Sequence, residues 1–267
     1  MLVHPRAGRD GWGGRGGRPA RLWYRCRMVR AVTLDFWSTL IEDHRLEERT
    51  ALRAALFLKT LAPRGFSGDR AAVDRAFGLA WENFERVWRH DNRTPATAES
   101  VAVVLRELGV APPDELRATL TARMEEILLE TPPRPVAGVA ETLPVLAERY
   151  SLAVVCDAGL SPGRTLRRVL DQNGLTTHFQ FLFFSDEHGF SKPDPRAFQT
   201  ALDALGVAPR EAVHVGDIQR TDIAGAHAAG MRAIHFAAVN ASDVPRSSAE
   251  AVVYRFADLP TAVERLG

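Results

Sequence analysis

The chain contains 267 residues, of which 46% are hydrophobic and 25% charged, so it can bury a sizeable core as one large domain or two smaller ones. No apolar run approaches the ~20 residues that span a bilayer, and the N-terminus lacks the apolar centre of a signal peptide. We therefore expect a soluble, cytoplasmic protein with no membrane partner. The two cysteines, Cys26 and Cys156, form no disulfide framework, which agrees with a reducing compartment.

Residues 1–27 differ in composition from the rest of the chain. They contain six glycines and seven arginines against one aspartate, a local charge of +6, whereas the whole chain carries +1. Such a segment is typical of RNA-binding or acid-binding tails, but it lacks a repeated Arg-Gly-Gly unit. We expect residues 1–27 to be a disordered extension upstream of a natural start at Met28, and we expect no nucleic-acid partner for the mildly acidic remainder.

Beyond Met28, short apolar runs alternate with helical patterns. The predicted strands are Ala31–Leu34, Leu152–Cys156, Phe181–Phe184, Ala212–Val215, Ala233–Phe236 and, more weakly, Ala251–Tyr254. The predicted helices between them are centred on Val139–Arg149, Arg164–Asp171, Pro195–Leu205 and Asp222–Ala229. Apolar strands that alternate with helices indicate a parallel sheet covered on both faces. The predicted fold class is therefore α/β, with a doubly wound, Rossmann-like core.

Residues 43–133 form a different kind of segment, with no convincing strand and two helical stripes. One stripe contains Val73, Phe77, Trp81, Phe84 and Trp88, and the other contains Leu116, Leu120, Met124 and Leu128. Helical spacing favours packing of the first stripe over an aromatic ligand box. We predict an inserted helical domain over 43–133 and an α/β core made from 28–42 and 134–267.

Three motifs carry a resemblance to a known family. They are Asp35-Phe36-Trp37-Ser38-Thr39 after the first strand, Ser191-Lys192-Pro193-Asp194-Pro195, and His214-Val215-Gly216-Asp217-Ile218-Gln219-Arg220-Thr221-Asp222. In order and spacing they resemble the motifs of the haloacid dehalogenase (HAD) superfamily, in the branch with a helical cap inserted after the first strand. The resemblance covers nearly all of residues 28–240.

The resemblance implies a phosphatase or phosphotransferase that acts on a small phosphorylated metabolite. Asp35 would attack phosphorus and form an aspartyl-phosphate, while Lys192 pairs with Asp35 and the phosphate and the Thr39 hydroxyl fixes the loop. The implied cofactor is Mg²⁺, held by Asp35, the Trp37 backbone carbonyl, Asp217 and Asp222. Only two lysines stand among 34 basic residues, which favours a specific role for Lys192.

Two positions depart from the family pattern. Trp37 stands where the second, acid/base aspartate of the phosphatases usually stands, and Glu42, Asp43, His44, His90 and Asp91 are the candidates to replace it. Cys156, followed by Asp157, stands where the family has Ser or Thr. We expect Trp37, Cys156 and Asp157 to contact substrate, with looser phosphate binding by the thiol and compensating N–H groups near Ser161-Pro162-Gly163. An acidified, oxidisable Cys156 is a further hypothesis.

Other functions remain open at this point. An aromatic residue at position 37 also fits the metal-independent 2-haloacid dehalogenases of the superfamily, although Gly216-Asp217 favours phosphate chemistry. A weakly active or non-catalytic phosphate-binding protein is a third possibility. Phosphonate hydrolysis would need a cap lysine, for which Lys59 is the candidate. The sequence leaves the substrate and the oligomeric state open.

Overall fold

The computed structural model describes residues 29–267. The predicted disordered extension, residues 1–27, lies outside the described residues, as does Cys26. Within the described part, no helix combines the length and the apolar character that a bilayer span requires.

Eight strands and ten α-helices are described. The strands are β1 (Ala31–Leu34), β2 (Ile41–Glu42), β3 (Arg134–Pro135), β4 (Ser151–Cys156), β5 (Phe181–Phe184), β6 (Ala212–Gly216), β7 (Arg232–Phe236) and β8 (Ala251–Val253). The helices are α1 (Leu46–Leu61), α2 (Arg70–His90), α3 (Thr97–Glu107), α4 (Asp114–Glu130), α5 (Val139–Ala147), α6 (Gly163–Gln172), α7 (Ser185–His188), α8 (Pro195–Leu205), α9 (Ala224–Ala228) and α10 (Leu259–Leu266).

Six strands form one parallel sheet in the order β5-β4-β1-β6-β7-β8. β1 lies at the centre, between β4 and β6, and the strand order reverses there. The predicted α/β, doubly wound class is therefore confirmed. Each of the six predicted strands is present, with ends that differ from the prediction by at most one residue.

The sheet is buried on both faces because alternate side chains of each strand enter different apolar clusters. On one face Val32 and Leu34 pack with residues of α5, α6 and α10. On the other face Ala31 packs with residues of α8, including Phe198. Burial of both faces explains why these strands are continuous apolar runs rather than alternating ones.

Helices α1 to α4 lie between β2 and β3 and share an apolar core of their own. Its fully buried members include Phe57, Val73, Val104, Leu120 and Met124. β2 and β3 pair antiparallel where the chain leaves and re-enters the sheet, through Ile41 with Pro135 and Glu42 with Arg134. Strands of two residues are too short for a sequence pattern, so this pairing was not predicted. The division at residues 43 and 133 into core and cap domains stays a prediction.

Candidate active site

The candidate site lies at the carboxyl edge of the parallel sheet. Asp35, Asp157 and Asp217 each follow directly the last residue of a strand, namely β1, β4 and β6. These strands are neighbours in the sheet, and their carboxyl ends point the same way. The position where the strand order reverses is the usual ligand site of a doubly wound sheet.

Three carboxylates and one ammonium group form the centre of the site. Oxygens of Asp35, Asp217 and Asp222 lie within 4.8 Å of one another, and all three side chains are buried. Lys192 Nζ lies 2.5 Å from Asp35 Oδ1 and 2.6 Å from Asp222 Oδ1. The structure therefore brings together the four charged residues that the three motifs predict.

The electrostatics of this cluster follow from burial and from an excess of negative charge. Burial raises the pKa of Asp35 well above its usual value, although Lys192 acts in the opposite sense. Burial, with the charge of Asp222, raises the pKa of Asp217 to about 7. At Asp222 the burial effect is outweighed by Lys192 and His214, which hold the pKa of that carboxyl well below its usual range. One ammonium group thus leaves three carboxylates incompletely balanced.

The donor set fits a hard divalent cation. All three side chains offer carboxylate oxygens, the ligand type that Mg²⁺ prefers, and added positive charge would relieve their mutual repulsion. Asp35, Asp217 and Asp222 are thus the residues that could hold such an ion. Asp222 already accepts from Lys192, His214 and the Ile218 N–H, so its free ligand capacity is smaller than that of Asp217.

The local backbone structure positions the Asp222 carboxylate within the cluster. A Cβ atom on Gly216 would lie 2.4 Å from Asp222 Cγ, so only glycine fits at this end of β6. Residues Gln219–Ile223 form a π-helical segment before α9, where a regular helix beginning at Asp222 was predicted. The Ile223 N–H donates to the Ile218 carbonyl, five residues earlier, at 3.4 Å, which is the bond of the wider turn, and Asp222 Oδ2 accepts the Ile218 N–H. The predicted helix is present as α9, but its first two predicted residues lie in the π-helical segment.

The family model for haloacid dehalogenase-like hydrolases matches residues 29–230. The chain belongs to the haloacid dehalogenase-like hydrolase family. The predicted superfamily is therefore confirmed, and with it the prediction of a hydrolase.

Several HAD relatives are phosphatases by name. The chain is 40% identical over 100 residues to a phosphoserine phosphatase of Thermus thermophilus, a match that covers 38% of this chain and 40% of that protein. It is 28% identical over 204 residues to a glyceraldehyde 3-phosphate phosphatase of Methanopyrus kandleri, covering 76% and 82% of the two chains. The chain spans less than two thirds of the first of these relatives, so its activity is a matter for proposal.

A solved structure shares the whole HAD fold. The 2-haloacid dehalogenase of Pseudomonas syringae pv. Tomato DC3000 superposes with a TM-score of 0.68 at 24% identity, covering 90% of this chain and all of that one. At this identity the likeness concerns the fold alone. It therefore does not decide between the two chemistries that the sequence leaves open.

The loop after β1 differs from the HAD phosphatase pattern at Trp37, which lies half-buried against Phe36 with ring centroids 4.9 Å apart. Trp37 lines the cavity above the carboxylates. Ser38 has a left-handed backbone, with φ of 58°, which turns the chain immediately after Trp37. Thr39 is fully buried, and its hydroxyl has no hydrogen-bond partner among the described residues. Its predicted role in fixing the loop therefore rests on no observed bond.

Cys156 and Asp157 have different environments. The Cys156 side chain is fully buried in the apolar core and is not among the residues that line the cavity, so its predicted substrate contact has no support from its position. Burial, followed by the charge of Asp35, raises the pKa of the Cys156 thiol well above its usual value, so the hypothesis of an acidified thiol was wrong. Asp157 does line the cavity, and its contact with substrate stays a prediction.

The expected compensation by N–H groups near Ser161-Pro162-Gly163 finds no free donor at Gly163 and stays a prediction for the other N–H groups. The Gly163 N–H, which begins α6, donates to both carboxylate oxygens of Asp186, at 3.0 and 3.2 Å. This N–H is thus already paired with protein. Glycine is required here because a Cβ atom would lie 2.7 Å from Phe184 Cβ.

The cavity above the carboxylates has a volume of about 920 Å³ and lies between the sheet edge and helices α1 and α2. Of the five residues proposed to replace the missing acid, only Asp43 lines it, and Asp43 forms an ion pair with the buried Arg49. Lys59 is exposed on α1 and does not line the cavity, which argues against its use in phosphonate hydrolysis.

Four residues of the site were missed by sequence reasoning. His214 is buried on β6, with Nε2 3.2 Å from Asp222 Oδ1 and Nδ1 2.8 Å from the Thr33 hydroxyl. Asn240 donates to Asp217 Oδ2 at 2.8 Å. Trp88 donates from Nε1 to Asp157 Oδ2 at 2.7 Å, and the Arg220 guanidinium lies 4.3 Å from the centroid of the Trp88 ring. Usable signals existed for His214, a polar residue inside an otherwise apolar strand, and for Trp88, a member of the aromatic stripe on α2.

Proposed function

We propose that this HAD-family hydrolase is a divalent-cation-dependent phosphatase or phosphotransferase for a small phosphorylated metabolite. The observation that carries the proposal is the buried cluster of Asp35, Asp217, Asp222 and Lys192 at the carboxyl edge of the sheet. The phosphatase names of two relatives support the same class of reaction. A cytoplasmic location stays a prediction from the sequence.

In the proposed mechanism Asp35 is the nucleophile. Its carboxylate oxygen forms a bond to phosphorus while the bond from phosphorus to the leaving oxygen breaks, and the leaving group departs with the electron pair. Lys192, 2.5 Å from Asp35 Oδ1, would balance the charge of the nucleophile and of the phosphate oxygens. Water then hydrolyses the aspartyl-phosphate and restores Asp35.

Mg²⁺ is the proposed cofactor, with Asp35, Asp217, Asp222 and the Trp37 carbonyl as its protein ligands. When bound, the ion supplies electrostatic stabilisation of the transferring phosphoryl group. Asn240 orients Asp217 through a hydrogen bond of 2.8 Å, and His214 holds Asp222 in the same way at 3.2 Å. We propose that helices α1 to α4 act as the cap that covers this centre and selects the substrate.

Trp37 limits the chemistry in this proposal. An indole ring can neither protonate a leaving oxygen nor deprotonate a water molecule, and loss of such a group typically lowers the rate by ~10²- to 10⁴-fold. Turnover of substrates with basic leaving groups should therefore be slow. Asp43 does not offer an obvious substitute, since its charge is paired with Arg49.

A metal-independent dehalogenase is the second candidate, favoured by the aromatic Trp37 in the cavity wall. Two assays distinguish the phosphatase from the dehalogenase. One measures phosphate release from 4-nitrophenyl phosphate and the other chloride release from 2-chloropropionate, each with Mg²⁺ and with a chelator. We expect Mg²⁺-dependent phosphate release that Asp35→Asn abolishes. Chloride release that persists with the chelator would replace the proposal by the second candidate, and no release in either assay would indicate a phosphate-binding protein.

A further inference from the structure

Three aromatic side chains on one face of α2 line the cavity above the carboxylates, and we call them the aromatic wall: Trp81, Phe84 and Trp88. The rings of Trp81 and Phe84 are stacked, with centroids 5.1 Å apart and planes 8° from parallel. Trp81 is nevertheless 53% exposed, whereas Phe84 is buried. Because Phe84 covers one face of Trp81, the other face is open to a ligand.

Residues earlier on α2 than the aromatic wall supply the apolar contacts of this helix with the other helices of the segment. Earlier on the same helix, Val73 is fully buried among the helices, and Phe77 contacts Phe57 with ring centroids 5.2 Å apart. The helical stripe predicted to pack as one unit therefore divides, and its C-terminal half faces the cavity instead. The packing prediction was wrong for Trp81, which is 53% exposed, whereas Phe84 is buried as predicted.

The core fixes the inner end of the aromatic wall. Trp88 donates from Nε1 to Asp157, and the Arg220 guanidinium stacks over its ring. Asp157 accepts the Lys192 N–H through its other oxygen at 2.9 Å. A single carboxylate thus joins the wall to the backbone of the lysine that contacts Asp35, so the wall lies beside the reacting centre and is held there by polar contacts.

We infer that the aromatic wall is a subsite for the leaving group, and that the substrate is a phosphate monoester of a flat aromatic alcohol, an aryl phosphate. The inference rests on the proposed phosphatase function and adds the class of substrate. Trp81 stacks against the ring of the leaving group, while its phosphate lies at Asp35 and Lys192. Small ligands are commonly held by apolar and aromatic walls with a few polar groups at one end.

The inability of the Trp37 side chain to donate a proton also favours aryl phosphates as substrates. When Asp35 displaces the leaving oxygen, an aryl oxide departs with the electron pair; because a phenol has a pKa of about 10, its anion is a much weaker base than an alkoxide and needs less protonation in the transition state. An alkoxide needs a proton in the transition state, which Trp37 does not supply. Acyl phosphates also have good leaving groups, but they offer no ring to the wall. The wall therefore favours aryl over acyl phosphates.

Four substrates separate the effect of the ring from that of the leaving group. Phenyl phosphate has both a ring and a weakly basic leaving group, benzyl phosphate has only the ring, acetyl phosphate has only the weakly basic leaving group, and propyl phosphate has neither. We expect the highest kcat/KM for phenyl phosphate, a low KM with low kcat for benzyl phosphate, and a high KM for acetyl phosphate. In Trp81→Leu, KM for the two ring substrates should rise by about 2- to 10-fold, with KM for acetyl phosphate unchanged.

Trp81→Phe is the matched variant, since it keeps an aromatic face, and it should retain most of the affinity for the ring substrates. The inference is overturned if propyl phosphate is turned over as well as phenyl phosphate, or if Trp81→Leu changes KM equally for all four. Binding of benzylphosphonate and propylphosphonate, measured by calorimetry with Mg²⁺, requires no turnover. If no substrate is hydrolysed, the proposed phosphatase fails, and equal affinities for the two phosphonates would separately remove the aromatic subsite.

Discussion

Gly216 shows how a single residue controls the geometry of the carboxylate cluster. A Cβ atom at this position would lie 2.4 Å from Asp222 Cγ, too close for any ordinary contact. We expect Gly216→Ala to displace Asp222 from Lys192, to lower the free energy of unfolding by about 1 to 3 kcal/mol and to reduce phosphatase activity. Urea unfolding and an assay with 4-nitrophenyl phosphate measure the two effects.

Gly78→Ala is the matched control. Gly78 is exposed in the middle of α2, and an added Cβ atom would meet no atom within 4 Å. This change should leave activity unaltered and raise the free energy of unfolding by about 1 kcal/mol, because alanine is the better helix former. If Gly216→Ala, like Gly78→Ala, lowered neither the free energy of unfolding nor the phosphatase activity, the close approach of Gly216 to Asp222 would not matter for stability or function.

Trp37 permits a gain-of-function experiment at the residue scale. In Trp37→Asp a carboxyl group is available to protonate a leaving oxygen, so turnover of propyl phosphate should rise by at least about 10-fold, within the range that acid/base catalysis supplies. Turnover of phenyl phosphate should rise less, since its leaving group needs little protonation. Trp37→Asn opens the same space without an acid, and an equal gain in that variant would show that steric relief, not proton transfer, was the cause.

At the scale of elements, the end of α2 is joined to the sheet edge through Trp88 and Asp157. Trp88→Phe keeps a ring at the position but removes the Nε1 donor that lies 2.7 Å from Asp157 Oδ2. Loss of a hydrogen bond to a carboxylate is expected to lower the free energy of unfolding by about 1 to 3 kcal/mol. Because the other oxygen of Asp157 accepts the Lys192 N–H, kcat/KM should fall as well.

Stability by urea unfolding and kcat/KM for phenyl phosphate check the Trp88 prediction. Tyr254→Phe, an exposed aromatic residue just after β8, is the control for an aromatic replacement and should change neither quantity. Unaltered stability and kinetics in Trp88→Phe would mean that the contact between α2 and Asp157 does not contribute in solution.

The elements of the sheet were predictable because a strand buried on both faces must be a short apolar run, as in Ala31–Leu34 and Leu152–Cys156. Periodicity was less informative on α2. A stripe identifies one face of a helix, but it does not say whether that face meets protein or a cavity, so Val73 and Trp81 look alike in sequence and differ in burial. The π-helical segment at Gln219–Ile223 depends on hydrogen bonds that no spacing rule contains.

Some residues of the candidate site were likewise predictable from the sequence, and others were not. Asp35, Lys192, Asp217 and Asp222 were predictable because their motifs resemble those of the HAD superfamily, and because Asp35 and Asp217 follow parallel strands whose carboxyl ends meet at one edge. Asn240 was not, since it reaches Asp217 from the loop after β7, and a polar residue in a loop carries no signal of its target. The burial of Cys156 also depends on packing across the sheet, which the motif alone does not describe.

For the whole molecule, the proposed metal site predicts that stability depends on a divalent cation. Oxygens of three carboxylates lie within 4.8 Å of one another, and Lys192 is the one ammonium group that contacts them among the described residues, so their repulsion should destabilise the metal-free protein. Mg²⁺ at 100 times its Kd should therefore raise the free energy of unfolding by about 2.7 kcal/mol. Thermal unfolding with increasing Mg²⁺ measures this as a rise in Tm.

Asp217→Asn tests whether that stabilisation arises at this cluster. Removing one negative charge relieves repulsion in the metal-free protein, so its Tm without Mg²⁺ should equal or exceed that of the wild type, while its response to Mg²⁺ should be lost. Asp194→Asn is a suitable control, because Asp194 caps α8 and pairs with the exposed Arg196 outside the carboxylate cluster. It should lower Tm slightly and keep the full Mg²⁺ response. An Asp217→Asn protein that still gains stability with Mg²⁺ would place the ion elsewhere, and the proposed metal site would then be wrong.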